Sequence, residues 1–310
     1  MFEILLIPIS LLLLYLGGES TLKGVLSIAK KFQLSNILVS AVIIGFGTSL
    51  AELTVSIEAV LVGSPDLALG NIVGSNTANI LLVTSLAALI APITIKHLKI
   101  NRDIFVMGLA AALLLLFKYT DWLNLFTGMI FLLILISYIV FSYYEDQKNS
   151  KKNKNETDVK SKLSLFKSIL YSVVGISILI FGGWLLVTTS IMIAKNYGIS
   201  ETVIGLTILA VGTSIPELTT TIIASIKKHN DLVIGNILGS NIFNIFGILG
   251  ITLLIEPIPV TNEMMKKGIW EMIAATLLFI LILKFLKKIN KIIASIMLIL
   301  YANYLVYIFY

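Results

Sequence analysis

The chain has 310 residues, of which 57% are hydrophobic and 13% charged, with a formal net charge of +6. Soluble domains average about 45–50% apolar and about 25% charged residues, so this composition excludes an ordinary soluble domain and implies an integral membrane protein. There is no cysteine, which excludes disulfides and thiolate metal ligands.

Crossing roughly 30 Å of hydrocarbon takes about 20 apolar residues. Ten such runs are predicted, at about 3–23, 35–62, 66–91, 101–119, 121–142, 165–190, 199–226, 231–256, 267–287 and 289–309. None alternates polar and apolar residues as barrel strands do, so they are read as helices. The first, opening on MFEILLIPIS, has no basic residue before its apolar run and no small-residue cleavage signal, and is read as an uncleaved helix. Residues 143–164 form the one long polar segment, rich in Lys and Asn, and are expected to be a disordered cytoplasmic linker. With the N-terminus outside, cytoplasmic connections carry 19 Lys and Arg and the opposite side carries 4. This positive-inside asymmetry explains the basic charge by membrane orientation, not by a nucleic-acid partner, and places both termini outside.

The halves on either side of the linker align at a constant offset of 165 residues: GTSLAEL (47–53) with GTSIPEL (212–218), and GNIVGSNTANI (70–80) with GNILGSNIFNI (235–245). Two motifs in one order at one offset imply a duplicated unit. Five helices per unit is an odd number, so the second unit enters the membrane from the opposite side. The expected fold is therefore an all-α polytopic membrane protein of ten transmembrane helices in two inverted five-helix repeats, 1–142 and 165–310. Inverted repeats are a transporter architecture with the substrate site at midplane between the halves.

Glu52 and Glu217 fall near the middle of their spans, where an ionised group is costly and no basic residue is expected at the same depth. Such carboxylates call for protons or a cation. Thr48 and Ser49 precede Glu52 by four and three positions, on one helix face, and Thr213 and Ser214 repeat this before Glu217. On the next helix Asn71, Ser75 and Asn79 form a single polar stripe, copied by Asn236, Ser240 and Asn244. Every group offered is an oxygen donor, which suits a hard cation such as Ca²⁺ or Na⁺. The G-x-x-x-G pairs Gly70/Gly74 and Gly235/Gly239 are read first as close-packing sites. Gly47 and Gly212 are expected to permit a local break that frees the carbonyls near Gly45 and Ala210.

Other polar residues receive plainer readings. Glu58 and Glu19 have no copy in the second half; Glu58 is placed near the headgroups. Asp66 and Asp231 are taken as helix N-caps, His97 and His229 as solvated, and Trp122, Trp184 and Trp270 as interfacial anchors.

These motifs resemble the two alpha repeats of the calcium/cation antiporter superfamily, nearest to its compact prokaryotic sodium/calcium exchangers. The resemblance implies that Gly45, Thr48, Ser49, Glu52, Ser75 and Asn79 line an ion pocket with Ala210, Thr213, Ser214, Glu217, Ser240 and Asn244. It implies calcium and sodium as transported ions, a lipid bilayer as surroundings, and neither a cofactor, a nucleic acid nor an obligate protein partner. Ala51 stands where the family usually has proline, as at Pro216, and implies a less rigid first break. Asn244 stands where potassium-dependent branches carry aspartate, which implies exchange without potassium. A proton-coupled antiporter is the alternative within transporters, since buried glutamates take protons. An intramembrane protease lacks its base, for no His lies within a span. A channel would use similar ligands, but the inverted repeat argues for alternating access.

Overall fold

The computed structural model describes every residue except 1, 33, 62, 64, 96–97, 120–122, 153–162, 197–209, 261–263 and 310. It is built almost entirely of helices. α1 is Phe2–Phe32. α2 runs as Asn36–Val39, a π-helical segment Ser40–Gly45, and Phe46–Thr48; α3 is Leu50–Leu61. α4 runs as Pro65–Ala78, a π-helical Asn79–Val83, and Thr84–Ile90. α5 is Asn101–Tyr119, α6 Leu125–Lys152 and α7 Leu165–Asn196. The short α8, Ala210–Gly212, precedes α9, Ile215–Ile226. α10 runs as Asn230–Phe243, a π-helical Asn244–Leu249, and Gly250–Ile255. α11 spans the π-helical Met265–Ile269, Trp270–Leu281 and the π-helical Ile282–Leu286; α12 is Lys291–Phe309.

The burial pattern is that of a protein in lipid. Phe166, Phe285 and Ile292 are more than 70% exposed, whereas Glu52 and Glu217 are fully buried. Among the described residues, seven helices are long and apolar enough to cross a membrane: Leu6–Phe32, Asn36–Leu61, Leu67–Ile90, Leu125–Lys148, Leu165–Leu185, Asn230–Ile255 and Lys291–Ile308. The count of ten is thus not reached by length and composition alone. The remaining expected spans fall on α5, on α8 with α9, and on α11. The first and last of these carry charged residues near their ends, and residues 199–209 before α8 lie outside the described ones.

Two expectations are corrected. The fold is not wholly helical, because Ile93–Thr94 and Lys288–Ile289 form a two-residue antiparallel ladder with Ile93 opposite Ile289, both fully buried. A corresponding tie joins the halves a second time, with Ile258 N donating to Leu123 O at 3.1 Å; positions 93 and 258, and 123 and 288, differ by 165. Residues 143–152 of the polar linker, expected to be disordered, are helical, because α6 continues to Lys152. Its extension has partners: Asp146 Oδ2 accepts from Ser35 N at 2.9 Å and Ser35 Oγ at 2.6 Å, Gln147 donates to Phe32 O, and Glu145 pairs with Arg102 at 2.9 Å. Docking on the α1–α2 connection keeps these polar residues helical.

Close helix packing depends on small residues, as expected in lipid. α1 lies along α7, where a Cβ on Gly17 would meet Gly175 O and Leu179 N at 2.9 Å. α10 lies against α2, where a Cβ on Gly239 would meet Ala41 Cα and O at 2.4 Å, and one on Gly235 would meet Ile37 O at 2.6 Å. The packing reading of the second G-x-x-x-G pair therefore holds. A Cβ on Gly70 would meet only Met264 Cε, at 3.3 Å, and one on Gly74 no described atom within 4 Å.

Candidate functional site

Both motif helices break just before their glutamates. Between α2 and α3, Ser49 leaves helical geometry with φ −73° and ψ 5°. Between α8 and α9, Ser214 does so with φ −88° and ψ 7°. The interruption thus falls at Ser49 and at Thr213–Ser214, not at Gly47 or Gly212. A Cβ on Gly47 would meet Ile176 Cδ1 at 2.5 Å, so this glycine makes room for α7. Both helices break although only the second has a proline, Pro216, in its first turn. The first break does not need one at Ala51.

Each break sets a glutamate in the first turn of a new helix, Glu52 in α3 and Glu217 in α9. Helix N-termini favour negative charge. The glutamates are bound crosswise. Ser49 Oγ donates to Glu217 Oε1 at 2.8 Å, and Ser214 Oγ donates to Glu52 Oε1 at 3.2 Å. The second oxygen of each, Glu52 Oε2 and Glu217 Oε2, is buried without a partner among the described residues. Neither carboxylate enters an ion pair there either; the ion pairs of the described residues are those of Arg102 with Asp103 and Glu145, and of Lys227 with Glu19.

The next helix of each half supplies the rest. Asn79 and Asn244 are fully buried, each opens a π-helical segment, and neither makes a side-chain hydrogen bond among the described residues. Such segments are frequent at functional sites. Ser240 Oγ donates to Gly45 O at 3.2 Å, whereas Ser75 Oγ is buried and unpartnered. Thr48 Oγ1 donates back to Ile44 O at 2.9 Å, and Thr213 Oγ1 donates to Asn71 Oδ1 at 3.3 Å. Ala210 is placed by its backbone, at the start of α8. Buried oxygens seldom go without donors, and a set of carboxylate, hydroxyl and amide oxygens is what a hard cation takes.

The polar stripe does not act as one unit. Asn71 Nδ2 donates to Glu52 O at 3.2 Å and to Ser56 Oγ at 3.0 Å. Asn236 Nδ2 donates to Glu217 O at 3.3 Å, Thr220 Oγ1 at 3.1 Å and Thr221 Oγ1 at 2.8 Å. These amides brace the glutamate helices. Sequence reading missed Ser56, Thr220 and Thr221, although Ser56 and Thr221 lie four residues after the glutamates at the same offset of 165. Of the remaining polar residues, Glu19 accepts from Lys227 Nζ at 2.5 Å. Asp231 sits in the first turn of α10, after its cap residue His229, and accepts from Asn36 Nδ2 at 2.6 Å. Trp184 and Trp270 are exposed. His97 and Trp122, and the side chains of Glu58 and Asp66, lie outside the described residues.

The whole chain compares with known proteins in the same terms. Residues 2–144 and 167–310 match the family described as sodium/calcium exchanger protein. An uncharacterized membrane protein of Methanocaldococcus jannaschii, MJ0091, is 32% identical over 258 residues, covering 83% of each chain. The sodium/calcium exchanger MaX1 of Methanosarcina acetivorans is 29% identical over 343 residues, covering 99% of this chain and 98% of that one. The solved structure of the sodium-calcium exchanger NCX_Mj, soaked with 2.5 mM Na⁺ and 0.1 mM Ca²⁺, superposes with a TM-score of 0.81 at 29% identity, covering 98% of this chain and 97% of that one. A duplicated motif, two broken helices crossed at their glutamates and a match over both halves lead to one assignment: this chain belongs to the sodium/calcium exchanger protein family.

Proposed function

We propose that the chain is a secondary antiporter that moves Ca²⁺ against Na⁺ by alternating access, with the two inverted five-helix halves enclosing one pocket. The pocket is formed by Glu52, Glu217, Thr48, Thr213, Ser49, Ser214, Ser75, Ser240, Asn79 and Asn244 with the carbonyls of Gly45 and Ala210. The observation that carries this reading is the crossed pair of glutamates, each with one oxygen held by the opposite half's serine and one left over. Two such oxygens, one from each half and neither with a donor among the described residues, suit a divalent ion.

Charge sets the coupling. With Asn79 and Asn244 neutral, the pocket carries −2 when both glutamates are ionised, and one Ca²⁺ neutralises it. Three Na⁺, held by the carboxylates and the flanking hydroxyl and carbonyl oxygens, leave it at +1. Exchange then moves one net charge per cycle and responds to voltage at about 2.3 kcal/mol per charge per 100 mV. Among the described residues no third carboxylate joins Glu52 and Glu217 to hold potassium. The positive-inside distribution sets the 143–164 connection in the cytoplasm and both termini outside.

The test is ⁴⁵Ca²⁺ uptake into proteoliposomes under imposed Na⁺, H⁺ or K⁺ gradients, with voltage clamped by an ionophore. Na⁺-driven, voltage-sensitive uptake in K⁺-free buffer is expected. Uptake driven by a proton gradient alone would replace sodium with protons, and uptake indifferent to voltage would remove the three-for-one stoichiometry.

A further inference from the structure

The two halves carry the same Thr, Ser and Glu at the break, with Pro216 in place of Ala51, but not the same bonds. In the first half only Ser49 leaves the helix; Ser49 N donates to Gly45 O, and Thr48 remains helical with its hydroxyl turned back onto Ile44 O. In the second half both Thr213 and Ser214 lie outside α8 and α9. Ser214 N donates to Val211 O, one position nearer, and Thr213 Oγ1 reaches across to Asn71 Oδ1 of the first half.

Two buried groups record the difference. Asn236 is the equivalent of Asn71, and its Oδ1 has no donor among the described residues because Thr48 is occupied within its own helix. Ser75 is the equivalent of Ser240, and its Oγ has no partner there, whereas Ser240 Oγ donates to Gly45 O. Thr, Ser, Asn and Ser are identical at 48 and 213, 49 and 214, 71 and 236, and 75 and 240, so these side chains do not by themselves dictate the asymmetry. One element is present in two conformations, and each amide can be served by the opposite half's threonine.

We propose that Thr48 and Thr213 are the alternating contacts of an antisymmetric switch, an inference that rests on the antiport reading. In the opposite-facing state Thr48 leaves its helix and donates to Asn236 Oδ1, Ser75 donates to the carbonyl of residue 210, and Thr213 winds back into α8. Asn71 and Asn236 are the positioning residues. The Nδ2 group of each holds a glutamate backbone carbonyl in its own half, and the Oδ1 of each receives, in one state only, the threonine of the other half. The state of one break is thereby tied to the placement of the other half's glutamate. Because each state satisfies one amide oxygen and leaves one open, the two states make the same number of such bonds, which keeps both accessible to a cycling carrier.

The test is amide hydrogen exchange of the full chain in lipid nanodiscs free of Na⁺ and Ca²⁺, read on peptides covering 45–49 and 210–214. Thr213→Val removes one hydroxyl at nearly constant volume. It is expected to slow exchange at 210–214 and speed it at 45–49 by roughly two- to tenfold, the population shift of one net hydrogen bond. Thr48→Val is expected to shift both segments the other way, since the back-bond it also loses adds little to its helix. Thr213→Ser, which keeps the hydroxyl, is expected to match the wild type. Shifts of the same sign in both variants, or changes confined to the substituted segment, would overturn the switch. Should Thr213→Val not fold, an unchanged Thr48→Val profile overturns it alone. No ion enters the measurement, so its failure is distinct from failure of the exchange reading: opposite shifts in a chain that does not exchange Ca²⁺ for Na⁺ support the switch and change only its cargo.

Discussion

Ser49 of the first half donates to Glu217 of the second at 2.8 Å, and Ser214 of the second donates to Glu52 of the first at 3.2 Å. Neither half can therefore position its own carboxylate alone. Hydrogen bonds to charged groups contribute about 1.5–3 kcal/mol, or roughly ten- to hundredfold in an equilibrium. Ser49→Ala and Ser214→Ala are each expected to raise the Ca²⁺ concentration for half-maximal Na⁺-dependent ⁴⁵Ca²⁺ uptake by at least about tenfold. A wild-type Ca²⁺ dependence in either variant would show that its bond does not support the pocket.

The amide positions test the charge account. Asn79 and Asn244 are equivalent, buried and unpartnered, so Asn79→Asp and Asn244→Asp should alter exchange in the same direction. A third carboxylate beside two others disfavours its own ionisation. Exchange in both variants should therefore depend more steeply on pH than in the wild type, approaching it toward acid pH, where the added group holds a proton and is as neutral as the amide it replaces, and departing from it as pH rises and the group ionises. Initial uptake rates across a pH series, with the Na⁺ gradient held constant, are the check. Opposite responses at the two positions would contradict an equivalent pair.

Much of this was legible in the sequence, and the reason is the duplication. A repeat at one offset marks Glu52 with Glu217 and Asn79 with Asn244 before any packing is known, and apolar length marks most helices. What stayed hidden depends on partners distant in sequence. Nothing near Glu52 announces that its serine partner is Ser214, 162 residues away. The break could not be assigned to serine over glycine from composition, because Gly47 instead faces Ile176 of α7, a contact distant in sequence. The helical stretch 143–152 read as linker because its residues are polar, and the contacts that order it come from Ser35, Phe32 and Arg102.

Packing at the pocket's edge gives a stability prediction. Gly239→Ala places a methyl group against the Ala41 backbone, which cannot swing away, whereas Gly47→Ala meets only the flexible end of Ile176. Overpacking of a well-filled site costs about 1–3 kcal/mol. Gly239→Ala should lower the thermal midpoint of the purified protein measurably, and Gly47→Ala should do so much less. Equal shifts would mean that α2 and α10 are not in such close contact.

Orientation is open to chemical labelling. The chain has no cysteine, so single cysteines at Ser150 and after Tyr310 report without background. An impermeant maleimide should label the first from the cytoplasmic face and the second from outside. Labelling of both from one side would refute the ten-span arrangement of two inverted halves.

The central claim is that Glu52 and Glu217 together hold the transported Ca²⁺, and equilibrium binding tests it most directly. Purified protein in nanodiscs is titrated with ⁴⁵Ca²⁺ in Na⁺-free buffer, alongside Glu52→Gln and Glu217→Gln variants whose folding is verified by thermal unfolding. Removing one of two buried charges facing a divalent ion, at nearly constant shape, is expected to weaken binding by more than about a hundredfold in each variant. The wild type should bind one Ca²⁺ per chain and release it cooperatively to Na⁺. Wild-type Ca²⁺ affinity in either folded glutamine variant would contradict the account.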